Sequence, residues 1–222
     1  GFDPGGLDGL PGPKTDRAII AFKKSKGLAA RAYLGPITLQ ALFGTPAAAN
    51  EVAPTFPWMN EINKHMGLHE SRDFAKLVAW LKSDGRTLGD PRKLPWCGDA
   101  MDTAIRLGLP TEPFTGKVKV NPYLARNWLD FGKPCPLAYG AVGAFWRGDP
   151  NGTSGHVGFI VGRNQQNTKL LVRGGNTNNA VSDAWLESER LLGTRWPLTY
   201  AGPPAYLPVL DSKGQPISRN EA

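Results

Sequence analysis

What this chain has little of narrows it first. Two cysteines in 222 residues, Cys97 and Cys135, cannot build a disulfide framework, and their spacing matches no metal signature. Synthesis in a reducing cytosol is the simpler expectation. Histidine is scarce too: there are three. His65 and His69 stand four apart, but Gly67 lies between them and no glutamate follows His65, so they lack the zincin pattern and read as surface histidines. No apolar run approaches the ~20 residues that a membrane span needs, and no signal peptide is legible. Lysine and arginine outnumber acidic residues 26 to 19, for a net charge of +7. That balance suits an anionic partner such as nucleic acid, a membrane surface or a bacterial wall. Apart from Lys23, Lys24 and Lys26 there is no basic run, and neither a recognition helix nor a zinc-finger spacing accompanies the charge, which argues against nucleic acid. Glycine (27) and proline (20) are abundant, so the chain is rich in loops.

The strongest local pattern is LPWCGDAMDTAIRLGLP, residues 94–110. From Gly98, the residues Ala100, Met101, Ala104, Ile105 and Leu107 recur at helical spacing, which leaves Asp99, Asp102 and Arg106 for the wet side. Gly108 and Pro110 supply the stop. Cys97 therefore stands at a helix N-terminus, where the backbone dipole favours a thiolate and unpaired N–H groups can hold an oxyanion. Asp99 and Asp102 work against that activation, so a base must come from elsewhere.

Residues 1–44 contain an internal echo. Gly12-Pro13-Lys14-Thr15 and Gly35-Pro36-Ile37-Thr38 each place a threonine as an N-cap ahead of apolar residues, Ile19 and Phe22 in one case and Leu39, Leu42 and Phe43 in the other. With Asp8-Gly9, this pattern resembles the peptidoglycan-binding domain of many cell-wall hydrolases. It departs from that domain at Lys23, at Tyr33-Leu34 and in lacking the first helix. The resemblance implies a small all-α wall-binding module. Residues 45–55, rich in alanine and proline, read as a linker. A core-bearing domain over 56–210 and a polar tail over 211–222 follow.

In that second domain the spacing predicts a helix over 58–66 and another capped by Ser71, with Phe74, Leu77, Val78 and Leu81 on one face. Residues 111–136 read as loop, broken by a short segment over 123–131. Cys135, between Pro134 and Pro136, reads as a spectator. Strands are expected over 141–146, 155–161, 168–173, 181–185 and 196–200, with a turn at Asp149-Pro150-Asn151-Gly152. Helices followed by an antiparallel meander make the class α+β.

His156 opens the second of these strands. If residues 162–168 close a symmetric hairpin, His156 lies opposite Gly174 and a diagonal step from Asn176, with Asn178 as a weaker candidate on the same face. Cys97, His156 and Asn176 would then be nucleophile, base and orienting group. Gly155, Gly158, Gly174 and Gly175 leave open backbone around them.

The order PWC plus helix, GAVGAFWRG, GHVGFIVG, LVRGGN and RWP, over residues 56–206, resembles the papain-fold cell-wall cysteine hydrolases. These are the NlpC-like peptidases and the cysteine, histidine-dependent amidohydrolase/peptidase family, above all its phage-borne branch. The resemblance implies catalysis by Cys97, His156 and Asn176. It also implies a substrate cleft beside Trp96, Asp99, Gly155 and Asn178, and neither metal nor cofactor. Gly98-Asp99 departs from the small or aromatic residues usual after the cysteine. With the N-terminal module, the resemblance implies a monomeric endolysin, made in the host cytoplasm and cleaving an amide bond of bacterial peptidoglycan at the wall. N-acetylmuramoyl-L-alanine amidase activity, a secreted antibacterial effector and a non-catalytic wall-binding protein remain alternatives.

Overall fold

The computed structural model describes residues 2–4, 12–32, 34, 38, 41–42 and 56–214. The chain divides into two compact units, residues 1–54 with 215–222 and residues 55–214.

In the first unit, α1 spans Pro13–Ser25 with Gly12 as its N-cap. Pro13, whose fixed φ and missing N–H suit a first helical position, starts the helix two residues ahead of Thr15. Thr15 is therefore no cap, and its hydroxyl donates instead to the Pro4 carbonyl at 3.3 Å. Phe2 packs edge-on against Phe22 at 5.8 Å. Thr38 and residues 41–42 are helical. Asp8-Gly9, residues 35–37, Leu39, Phe43 and the linker lie outside the described residues.

The second unit sets helices ahead of one antiparallel sheet. Its helices are α2 (Pro57–Lys64), α3 (Phe74–Leu81), α4 (Cys97–Gly108) and α5 (Gly116–Val120), followed by a 3-10 helix over Ala125–Asp130. The strands are β1 (Lys133–Pro134), β2 (Val142–Trp146), β3 (Gly155–Arg163), β4 (Lys169–Thr177), β5 (Ala180–Glu187) and β6 (Leu191–Trp196), arranged β1-β6-β2-β3-β4-β5. α3 starts after Asp73 rather than Ser71, because the Asp73 carboxylate accepts the His69 N–H and closes the preceding turn. The strand expected over 196–200 is displaced: Trp196 ends β6, since Pro197 cannot donate to a ladder. His65 and His69 are half-buried rather than on the surface. His65 stacks on Trp80 and meets Glu61, while His69 Nδ1 accepts the Ser71 N–H.

Two apolar clusters close the unit, the first largely aromatic. Phe56 stacks on Trp58 at 4.8 Å, and Trp196 and Tyr200 meet Trp58 edge-on at 5.3 and 5.1 Å. The Trp58 indole N–H donates to the Gly140 carbonyl, so α2 is tied to the approach to β2. On the other side of the sheet Phe145, Ile160, Leu170, Val172 and Leu207 form a second cluster. The sheet is thus covered on both faces, and β3 is buried at every position after Gly155.

α4 is buried almost all round, which corrects the wet side expected for it. Every residue from Cys97 to Ile105 is buried, including Asp99 and Asp102. Arginines from the rim make this tolerable: Arg106 Nε lies 2.8 Å from Asp102 Oδ1 and Arg86 Nε 3.2 Å from Asp102 Oδ2. The Leu88 N–H donates to Asp99 Oδ2. Glycine allows the close fit. A Cβ at Gly98 would stand 2.4 Å from the Pro122 carbonyl oxygen, and one at Gly108 would stand 2.6 Å from the Trp58 nitrogen.

Candidate active site

Cys97 is the first residue of α4, after the N-cap Trp96. The backbone N–H groups of Val157, of Gly98 and of Cys97 itself lie close enough to its sulfur to favour the thiolate. The strands explain the first of these neighbours. The Ile160 N–H goes to Ala141 on the β2 side, so alternation turns the Val157 N–H toward β4. The β3–β4 ladder runs only as far as Phe159↔Arg173, however, and the thiol fills the place where the two strands part.

His156 lies next to Val157 on β3, opposite Phe145 of β2, and is 3% exposed. Arg147 Nη2 stands 3.2 Å from His156 Nδ1, and Thr177 Oγ1 stands 3.5 Å from Nε2. A guanidinium only donates, so Nδ1 is the acceptor and the ring proton sits on Nε2, toward Thr177. Both ring nitrogens are thereby engaged. Among the described residues no hydrogen bond joins the Cys97 sulfur to the imidazole.

The electrostatics keep both groups neutral. Burial pushes the Cys97 thiol up from its ordinary value, against the Val157 N–H and the charge of Arg147. Burial, then the positive charges of Arg147 and Arg190, push His156 down to about 3. Thiol and unprotonated imidazole are therefore the resting forms at neutral pH.

The other residues singled out from the sequence are placed as follows. Among the described residues no hydrogen bond joins Asn176 to the ring; it holds φ at +55°, and the β4–β5 register slips between Gly174 and Thr177. That left-handed residue interrupts the alternation, so Thr177 takes the position beside His156. Asn178 and Asn179, both at positive φ, form the two-residue turn of the β4–β5 hairpin closed by Thr177↔Ala180. Asn178 is exposed in that turn. Trp96 is buried rather than open to a cleft, its ring against Gly175 and its N–H donating to Glu70 Oε2. Asp99 is buried toward Leu88. Gly155 is half-buried, and a Cβ there would stand 2.7 Å from the Phe145 carbonyl oxygen. Cys135 is tied by its backbone to Thr194 on β6.

Two contributors escaped the sequence reading. Arg147 follows β2 directly, two residues beyond the partner of His156, a position that the pairing of β2 with β3 makes a neighbour. Thr177 was signalled by Asn178-Asn179, a pair suited to a tight hairpin turn whose flanking residues pair with each other.

No family model matches the chain, and no curated protein or solved structure shows significant similarity to it. Among the described residues no helix is long and apolar enough to cross a membrane.

Proposed function

We propose that the second unit is a papain-like cysteine hydrolase acting on an amide bond of bacterial peptidoglycan, with the first unit as an all-α wall-binding module. In this reading a monomeric endolysin is made in the host cytoplasm and works at the wall. The observation that carries it is the Cys97 thiol on the first turn of a buried helix, beside the N–H of the residue after His156.

In the proposed reaction His156 Nδ1 takes the Cys97 proton as sulfur adds to the carbonyl carbon. The N–H groups of Cys97 and Gly98 receive the oxyanion. The C–N bond then breaks as His156 returns the proton to the leaving amine, and water, deprotonated by His156, hydrolyses the thioester. Thr177 holds the ring's other nitrogen and is the orienting group in place of Asn176.

A second reading, a wall-binding protein without catalysis, is favoured by Arg147 standing at the nitrogen that catalysis needs. Digestion of purified diaminopimelate-type peptidoglycan by wild type and Cys97→Ala, with products identified by mass, separates the two. Defined peptide fragments from the wild type alone are expected, and their masses tell endopeptidase from amidase. Binding to the wall with no release by either protein rejects the hydrolase.

A further inference from the structure

Three arginines stand around the start of β3, and one of them differs from the others. Arg126 donates to the carbonyls of Ser154, Pro150 and Asp149, and Arg190 donates to the carbonyl of Trp146 while lying over its ring. Both guanidinium groups are committed to backbone. Arg147 is exposed, and its guanidinium contacts the His156 imidazole, with no carboxylate partner among the described residues. A planar, permanently charged fork on an exposed residue is suited to a carboxylate, which it binds two-pronged. An imidazole nitrogen uses only one of its donors.

Arg147 also lies close enough to Cys97 for its charge to act on the thiol. A carboxylate bound by Arg147 would therefore sit beside the bond being cut. Resting on the hydrolase reading for its place in catalysis, we propose that Arg147 recognises a free carboxylate of the substrate next to the scissile amide, and that engaging it frees His156 Nδ1 to accept the Cys97 proton. Specificity and activation are then one event. A ligand without that carboxylate leaves the guanidinium on the ring and the base engaged. The charged groups acting on the ring are Arg147 from the end of β2 and Arg190 from the 3-10 turn before β6, while Thr177 faces it from β4. A bound carboxylate offsets the nearer of the two charges.

The full-length protein, with 15N-labelled histidine, tests this without any hydrolysis. N-acetyl-D-alanine is titrated in against N-acetyl-D-alaninamide at matched ionic strength. The readouts are the His156 ring-nitrogen resonances and the rate of Cys97 alkylation by iodoacetamide at pH 7. In wild type the acid is expected to move the Nδ1 resonance and to speed alkylation about five-fold, and the amide to do neither. Arg147→Gln, at an exposed position, is expected to start with a shifted Nδ1 resonance and to ignore both probes, whereas Arg147→Lys keeps a weakened response to the acid. Equal effects of acid and amide, no effect of either on wild type, or an Arg147→Gln protein that responds like wild type would each overturn the proposal. Failure of the wild type to release wall fragments while the acid response persists would reject the hydrolase and leave Arg147 as a carboxylate site.

Discussion

Asp99 lies two residues along α4 from the candidate nucleophile, with Oδ2 receiving the Leu88 N–H and Oδ1 without a hydrogen-bond partner among the described residues. Burial, reinforced by the nearby carboxylates of Asp84 and Asp102, raises it to about 7 despite the Leu88 N–H and Arg86. An unfolded aspartate ionises near 3.9. The folded protein therefore keeps this proton where the unfolded chain has lost it, and the stability that Asp99 contributes falls as pH rises from about 4 to about 7, then levels off. Asp99→Asn removes the titration. It is expected to match wild type near pH 4 and to exceed it by a few kcal/mol at pH 8, as read by urea unfolding at pH 4, 6 and 8. A difference constant across that range would show that Asp99 is not the group responsible.

At the scale of elements, α4 is fixed by what its glycines permit. Pro122 and Tyr123 approach Gly98 so closely that a methyl group must displace backbone, and backbone does not yield cheaply. Gly98→Ala is expected to cost about 2 kcal/mol and to move the end of α4 that carries Cys97, so wall digestion should fall more steeply than stability. A thermal melt paired with a digestion assay at a temperature where the variant is folded checks this, and full activity there would mean that the helix end had not moved. The same helix marks how far the sequence could be read. Its extent, and those of β2 and β3, follow from hydrophobic period within a residue or two, whereas β4 runs on past the expected end to Thr177. The burial of Asp99 and Asp102 does not, because Arg86 and Leu88 come from a loop that no periodicity locates. Cys97 and His156 were legible from their own surroundings. Thr177 and Arg147 were not, since one depends on a left-handed Asn176 and the other on the β2–β3 register.

For the whole molecule, the excess of seven positive charges is scattered rather than concentrated, so on the proposed function its attraction to an anionic wall would be a sum of many weak, screened terms. Co-sedimentation with peptidoglycan should weaken markedly between about 50 mM and about 500 mM salt, where the screening length falls well below 10 Å. Salt-independent retention would point instead to a specific, largely uncharged contact. Finally, the Trp58–Trp196 contact joins the start of the second unit to its last strand across about 140 residues, and β6 enters the sheet between β1 and β2 rather than at an edge. A chain still emerging from the ribosome cannot make that closure until Trp196 has cleared the exit tunnel. In the order of synthesis Cys97 is therefore outside the ribosome long before the scaffold around it can close, and a hydrolase built this way would stay idle until Trp196 has emerged.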